Sequence, residues 1–213
     1  MMATQSHAQL MDNVYRGQRH IYDITRKYFL FGRDRLIDGL DMKPGQTLLE
    51  VGCGTGRNLD QARRRWPGAR LFGLDISSQM LQSAHAKLGT QATLTLGDAC
   101  AFSASGLFRQ SGFDRVMISF ALSMIPDWQA ALSTACDALA PGGALHIVDF
   151  GDGSGLPGPL RQGLNAWLAR FHVSPRLSLP EAARLQGKAR GFRVEVWRGA
   201  FGYYQMVVVT RKK

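Results

Sequence analysis

One glycine-rich segment constrains the fold of this chain more than any other. The apolar run 47–51 ends in three alternate glycines, Gly52, Gly54 and Gly56, before a helical pattern that begins near Arg57. Glycine alone takes positive φ at no steric cost and lets a ligand come close to the backbone. The segment therefore predicts a strand, a tight turn and a helix, with a ligand at the turn.

Strand and helix patterns then alternate, as in a parallel sheet with crossover helices. After the turn Lys43-Pro44-Gly45, the predicted strands are 47–51, 70–74, 93–96, 113–119 and 144–150, and the predicted helices include 77–87 and 128–139. An amphipathic helix follows the Gly/Pro-rich stretch 151–158, and 192–198 with 203–211 is predicted to form an antiparallel hairpin. We expect one domain over 1–213, with a helical cap or lid at 1–42 and an α/β core at 43–213.

A dinucleotide-binding fold is the first alternative for the glycine turn. Its fingerprint places a third glycine five positions after the first, but Arg57 stands there. Glu50 precedes glycines at 52, 54 and 56 instead, which resembles motif I of the methyltransferases.

Two acidic residues close the next strands. Asp75 could accept hydrogen bonds from both ribose hydroxyls, which suits either NAD or S-adenosylmethionine. Asp98 could accept one from an adenine amino group. Helix capping for Asp75 and a solvent-exposed turn for Asp98 are the alternatives.

The ordered set, completed by Phe113–Ser119 and Leu139–Gly143, resembles the class I S-adenosylmethionine-dependent methyltransferases over nearly the whole chain. The resemblance implies a Rossmann-like fold with a seven-stranded, mostly parallel sheet, S-adenosylmethionine as cofactor and S-adenosylhomocysteine as product. It implies the following cofactor-binding residues: Glu50 before the glycine turn, Gly52, Gly54 and Gly56 near the methionine portion, Asp75 at the ribose, Ile76, Met80, Asp98 and Ala99 around the adenine, and Ser119 and Phe120 after the fourth strand.

A narrower resemblance involves four segments: Arg19–Arg26, Phe29–Arg35, Val148–Asp152 and Trp167–Val173. They are similar to the bacterial diacylglyceryl-homoserine N-methyltransferases of betaine-lipid synthesis, which have phosphatidylethanolamine N-methyltransferases as close relatives. The resemblance implies methylation of a lipid amine to the trimethylated betaine lipid, and an aminocarboxypropyl-transferase as a pathway partner.

The same resemblance implies roles for individual residues. Tyr22 would close over the cofactor, and Arg26 or Arg33 would bind the cofactor carboxylate. Tyr22 and Asp149 are the predicted catalytic residues, with Asp149 orienting the amine or taking its proton. Aromatic rings can hold the cation that methylation produces. The candidates for that wall are Tyr22, Tyr28, Phe120, Phe150, Tyr203 and Tyr204, for most of which core packing is the alternative.

The net charge and the distribution of basic residues indicate which class of partner this chain binds. The formal net charge is +10, with basic clusters at 16–35 and 57–70, which favours a polyanion, either nucleic acid or an anionic membrane surface. Nucleic acid is disfavoured because no RNA-binding module is present and Ser119–Leu122 replaces the Asn-Pro-Pro-Tyr-like motif of base methyltransferases. A basic, aromatic-rich N-terminal cap on a lipid surface fits better.

Further sequence features bear on metal binding and location. The three cysteines lack metal-ligand spacing, so no metal is predicted, and His20 and His146 are alternative bases that more often have structural roles. No apolar run reaches the roughly 20 residues of a membrane span, and the N-terminus lacks signal-peptide features. The sequence thus predicts a cytoplasmic enzyme, peripherally associated with the membrane.

Overall fold

The computed structural model describes residues 31–170 and 173–213. Seven strands form one sheet in the order β3-β2-β1-β4-β5-β7-β6. They are β1 (Thr47–Val51), β2 (Arg70–Asp75), β3 (Ala92–Leu96), β4 (Phe113–Ser119), β5 (Leu139–Phe150), β6 (Arg193–Arg198) and β7 (Tyr204–Thr210). β1 to β5 run parallel, and β7 is antiparallel to both β5 and β6.

Helices cover both faces of the sheet. The helices are α1 (Arg33–Asp38), α2 (Arg57–Arg65), α3 (Ser78–Leu88), α4 (Ala104–Phe108), α5 (Trp128–Asp137), α6 (Gly158–Arg170) and α7 (Leu179–Arg190). Short 3-10 turns occur at Gly89–Gln91, Leu122–Met124 and Ala200–Gly202.

The two faces follow from the period-two alternation of side chains along each strand. Leu49 and Ile118 contribute to the cluster with α4, α5 and α7. Their chain neighbours Leu48 and Met117 contribute to the cluster with α1, α2, α3 and α6. Since both faces are covered, strands such as β1 are buried at every position, which explains the continuous apolar runs in the sequence.

The predicted fold class is confirmed, and the predicted strands are all present. β5 begins at Leu139 rather than at 144, because Pro141-Gly142-Gly143 continues the strand instead of separating it from the preceding helix. Gly143 allows this: a Cβ there would lie 2.7 Å from the Phe113 carbonyl oxygen of the paired strand. α5 accordingly ends at Asp137, earlier than predicted.

α7 is a helix that the sequence analysis does not predict. Its sequence carries ordinary signals, with proline in the first turn, Glu181 beside it and Gly191 in the left-handed region after the last turn. The helix buries Leu179 and Ala183 against the sheet.

The part of the predicted cap that is described packs into the core. Leu36, Ile37 and Leu40 are fully buried and join the same cluster as α2 and α3. Residues 1–30 lie outside the described residues. No helix in the described ranges is long and apolar enough to cross a membrane.

Candidate active site

The carboxyl ends of β1 to β5 share one edge of the sheet, where ligands of such folds bind. The turn after β1 holds Gly52, Gly54 and Gly56 at φ of 72°, 53° and 71°. A Cβ on Gly52 or Gly56 would lie 2.8 Å from a neighbouring side chain, whereas one on Gly54 would meet nothing within 4 Å. Gly52 and Gly56 therefore serve close packing, and Gly54 leaves open space above the turn.

Asp75 joins this turn to the end of β2. Its carboxylate accepts hydrogen bonds from Gly54 N at 2.7 Å and from Ser77 N at 2.9 Å. A carboxylate at this position is an acceptor group, which is the kind of partner that ribose hydroxyls need. Capping of α3 belongs to Ser77, whose Oγ accepts from Met80 N.

The predicted adenine contacts lie at the ends of β2 and β3. Asp98 accepts a hydrogen bond from Cys100 N at 2.8 Å and is partly exposed, as are Ala99 and Ile76. Met80 is buried and packs with Trp167 of α6. This contact brings α6 next to the start of α3 at the same edge.

Two other predicted cofactor residues, Glu50 and Arg33, are buried. The Glu50 side chain accepts a hydrogen bond from Asn58 Nδ2 at 2.6 Å, which ties β1 to the first turn of α2. Arg33 opens α1 and is also buried. Through this bond Glu50 links the two elements on either side of the glycine turn, and its predicted contact with the cofactor stays a prediction.

β4 ends at Ser119, and Phe120 opens the segment that follows it. Ser119 is buried, and its Oγ has no hydrogen-bond partner within the described residues. Phe120 lies at φ 52°, in the left-handed region. The next residue, Ala121, provides the side chain that closely faces Gly52.

Asp149 is fully buried at the end of β5. Its Oδ2 accepts from Ser123 N at 3.0 Å, and its Oδ1 accepts from Phe150 N at 2.8 Å. Burial raises the pKa of this carboxyl to about 6, although both hydrogen bonds and the nearby Arg176 oppose the shift. In this arrangement Asp149 fastens the segment after β4 to the end of β5.

A row of aromatic rings follows the same edge. Phe120 and Phe150 have centroids 4.7 Å apart, Phe150 and Tyr203 6.1 Å, and Tyr203 and Phe31 5.4 Å. Phe120 and Phe150 are buried, while Tyr203 is partly exposed and Phe31 is exposed. Burial raises the pKa of Tyr203 to about 12, so its hydroxyl stays protonated at neutral pH. The structure brings three of the proposed wall residues together, with Tyr203 nearest the surface.

The remaining predicted residues are not part of the described edge. Tyr22, Arg26, Tyr28 and His20 are outside the described residues, whereas His146 is among them. His146 is buried within β5, where desolvation and then Arg115 lower its pKa to about 4, so it is neutral at pH 7. No group of three or more potential metal ligands occurs in the described part of the chain.

Sequence reasoning missed Arg176 and Gln205. Arg176 donates to the carbonyl oxygens of Leu122 at 3.1 Å and Ile125 at 2.7 Å. Gln205 donates to those of Arg176 and Phe150 at 2.9 and 3.0 Å. These bonds hold the segment after β4 in place, and no local sequence signal points to them because the partners are more than 25 positions apart.

The residues at this edge fit S-adenosylmethionine. Gly54 leaves room for a ligand against the backbone, Asp75 places a carboxylate at the end of β2, and the unpartnered Ser119 Oγ is a buried group that a ligand could satisfy. Asp98 stands at the end of the neighbouring β3. The order of these groups along the edge is that of an elongated nucleoside ligand.

A family described as a methyltransferase domain matches residues 48–143, from β1 into β5. The chain contains a methyltransferase domain. The matched region includes every described residue of the predicted cofactor site except Arg33.

Relatives of this methyltransferase domain act on different atoms. The chain is 33% identical over 165 residues to a ubiquinone/menaquinone biosynthesis C-methyltransferase of Cereibacter sphaeroides, covering 73% of this chain and 63% of that protein. It is 33% identical over 119 residues to phosphoethanolamine N-methyltransferase 2 of Caenorhabditis elegans, covering 54% of this chain and 26% of that protein. The chain thus spans less than two thirds of the length of these relatives.

Solved structures share the fold. Haemonchus contortus phosphoethanolamine N-methyltransferase 2, in complex with phosphomonomethylethanolamine and S-adenosylhomocysteine, has a TM-score of 0.67 at 20% identity, over 85% of this chain and 52% of that one. The plantazolicin methyltransferase BpumL, in complex with a triazolic desmethylPZN analog and S-adenosylhomocysteine, has a TM-score of 0.74 at 14% identity, over 100% and 98%. Both match the Rossmann-like class I methyltransferase fold of this domain.

Proposed function

We propose that this protein is an S-adenosylmethionine-dependent N-methyltransferase acting on the amine headgroup of a lipid, diacylglyceryl-homoserine in the first instance. One observation carries the proposal: the open glycine turn and Asp75 share a sheet edge with a row of aromatic rings that includes Phe150 and Tyr203. The first feature suits the cofactor, and the second suits a quaternary ammonium product.

S-adenosylmethionine would supply a methyl group already activated by the sulfonium. The protein's work is then to bind, to orient and to exclude water. Gly54 and Asp75 would bind the cofactor, and Ser119 Oγ would gain a partner on binding. Asp149 lies behind the segment that carries Phe120, so its role would be to orient that segment and, through its raised pKa, to respond to protonation of the site.

Tyr22 and Arg26 complete the proposal as a lid over the cofactor and the amine, a role that rests on the sequence resemblance alone. The described chain begins beside this edge, since Phe31 contacts Tyr203 and Gly32 lies against the Tyr204 ring. Tyr22→Ala should therefore weaken cofactor binding and slow transfer, and Tyr22→Phe should separate the ring from the hydroxyl.

The proposal extends to the setting of the reaction. A lipid substrate and a net charge of +10 favour peripheral association with an anionic membrane surface on the cytoplasmic side, with an aminocarboxypropyl-transferase supplying the amine. The phosphoethanolamine relative supports an amine acceptor. Phosphatidylethanolamine or a small amine is the alternative acceptor.

Labelled S-adenosylmethionine and a total lipid extract test the acceptor directly. The protein should label diacylglyceryl-homoserine when that lipid is present, in up to three steps, and should bind S-adenosylhomocysteine but not NAD by calorimetry. Parallel reactions with phosphatidylethanolamine and with demethylmenaquinone provide the comparison. Label in the quinone alone would replace N-methylation with the C-methylation of the Cereibacter relative.

A further inference from the structure

Two large apolar side chains are exposed beside the candidate active site. Phe201 is 65% exposed and Leu160 is 63% exposed. They flank the Gly/Pro-rich segment 151–158 that leaves β5. We call the surface formed by Leu160, Phe201, Arg161 and Arg198 the 160/201 surface.

The backbone holds Phe201 in place. Gly151 N, Gly153 N and Gly155 N donate to the carbonyl oxygens of Tyr203, Gly202 and Phe201 at 2.9, 2.9 and 3.0 Å. Phe201 itself has φ 55°, a left-handed conformation that phenylalanine rarely adopts. The connection between β6 and β7 is thus a fixed platform that presents a ring to solvent in a backbone better suited to glycine or asparagine.

Leu160 continues an apolar stripe beyond the core. Leu160, Leu164 and Leu168 are spaced by four residues on α6, so they lie on one face. Leu168 is buried and Leu164 partly buried, whereas Leu160 emerges at the start of the helix. The stripe therefore begins outside the fold, next to the Phe201 platform.

The charge around these side chains is positive. Arg161 follows Leu160, and its Cγ would lie 3.6 Å from a Cβ on Gly153. Arg198 is also exposed, and Asp152, the one carboxylate in residues 151–170 and 197–204, is paired with Arg198. Exposed rings and leucines among arginines are the composition that binds an anionic lipid interface.

The surface also faces the correct way for a lipid substrate. Phe150 pairs with Tyr204 at the carboxyl end of β5, so the β6–β7 connection lies at the edge that carries the glycine turn. Tyr203, two residues after Phe201, is the partly exposed ring of the aromatic row, between Phe150 and the exposed Phe31. A bilayer against Phe201 would bring its headgroups to Tyr203.

We propose that the 160/201 surface docks on the anionic face of a lipid bilayer, with Phe201 and Leu160 inserted at the headgroup boundary and Arg161 among the phosphates. The proposal rests on the proposed function, because it explains how a headgroup would reach this edge. The N-terminal cap is one proposed membrane contact, and the 160/201 surface is a second one, built from residues of the core domain.

The test uses the full-length protein, vesicles of phosphatidylcholine with and without phosphatidylglycerol, and three variants. Phe201→Asn removes the ring and suits the left-handed backbone, so folding is preserved. Partition onto anionic vesicles should fall roughly 10- to 100-fold, as expected for a lost buried phenylalanine. Phe201→Trp should restore it. Leu185→Ser is the matched control, because Leu185 is 68% exposed on α7, which packs on the opposite face of the sheet from α6.

Activity separates docking from catalysis. Phe201→Asn should lose transfer to lipid in vesicles but keep transfer to a short-chain, water-soluble form of the same headgroup, with unchanged affinity for S-adenosylhomocysteine. Arg161→Ala should weaken binding to anionic vesicles roughly fivefold and leave neutral ones unaffected.

The two proposals fail differently. If Phe201→Asn partitions onto anionic vesicles like the wild type, Phe201 does not insert into the bilayer and the docking proposal is wrong. The same result is expected if the Phe201 ring packs against another part of the chain. If Phe201→Asn instead dissociates a dimer in sedimentation while partition is unchanged, the surface binds a second copy and docking is again wrong. If partition depends on Phe201 but neither lipid nor soluble headgroup is methylated, docking stands and the lipid substrate is wrong.

Discussion

Gly54→Ala tests whether the space above the glycine turn is the cofactor site. The substitution adds one methyl group, which meets no protein atom within 4 Å, at a backbone φ of 53°. The left-handed backbone should cost about 1–2 kcal/mol in the free energy of unfolding. If a ligand occupies the space, overlap with the methyl group should cost a further 1–3 kcal/mol in binding, which is roughly 5- to 150-fold in affinity.

Gly45→Ala is the matched control. Gly45 has φ 85°, is equally open and bonds to the Gly68 carbonyl in the turn before β1, at the opposite edge of the sheet. Denaturant unfolding should show similar losses for both variants, and calorimetry with S-adenosylhomocysteine should show a loss for Gly54→Ala alone. Equal affinity in both variants and the wild type would refute the placement of the cofactor.

Three further predictions concern the acids and the segment after β4. Asp75→Ala should weaken S-adenosylhomocysteine by about 1–3 kcal/mol in calorimetry, because a ribose acceptor is lost; unchanged affinity would count against that contact. Because the pKa of Asp149 is raised from 3.8 to about 6, the folded state keeps this proton at pH values where the unfolded state has lost it. The resulting contribution to the free energy of unfolding is fully present below pH 3.8 and is lost as the pH rises through 6. Asp149→Asn should remove this pH dependence, up to about 3 kcal/mol, from unfolding curves at pH 4–8, and an unchanged profile would assign it to another group. Arg176→Gln should speed amide exchange across 122–125 and lower kcat more than cofactor affinity, because the carbonyls of Leu122 and Ile125 lose the hydrogen bonds from the Arg176 guanidinium; protected amides would contradict this.

The first half of the fold could be predicted because each strand is a single apolar run with a marked end. β1 is followed directly by Gly52 and β2 ends at Asp75, and both positions are also predicted ligand positions, so one pattern predicts fold and site together. The boundaries of β5 could not be predicted in the same way. Its first residues contain proline and two glycines, and only the close approach of β4 explains why they continue the strand.

The residues that hold the site in place through hydrogen bonds could not be predicted from the sequence for a different reason. Arg176 reads as one more arginine of a basic chain, and its function depends on carbonyl groups brought to it by the fold. Glu50 was predicted as a cofactor residue from its motif, but its bond to Asn58 depends on the turn between them. Positions that hold other residues in place have no periodicity of their own.

The position of β7 has a consequence for biosynthesis. β7 lies between β5 and β6, so the sheet cannot be completed in the order in which the ribosome makes it. Until Thr210 has left the exit tunnel, β5 has an unpaired edge and β6 has no neighbour. Ile147 pairs with Val207, a contact across 60 positions that is slow to form. A nascent chain paused in this interval would expose an aggregation-prone edge, and holdase chaperones should bind it there.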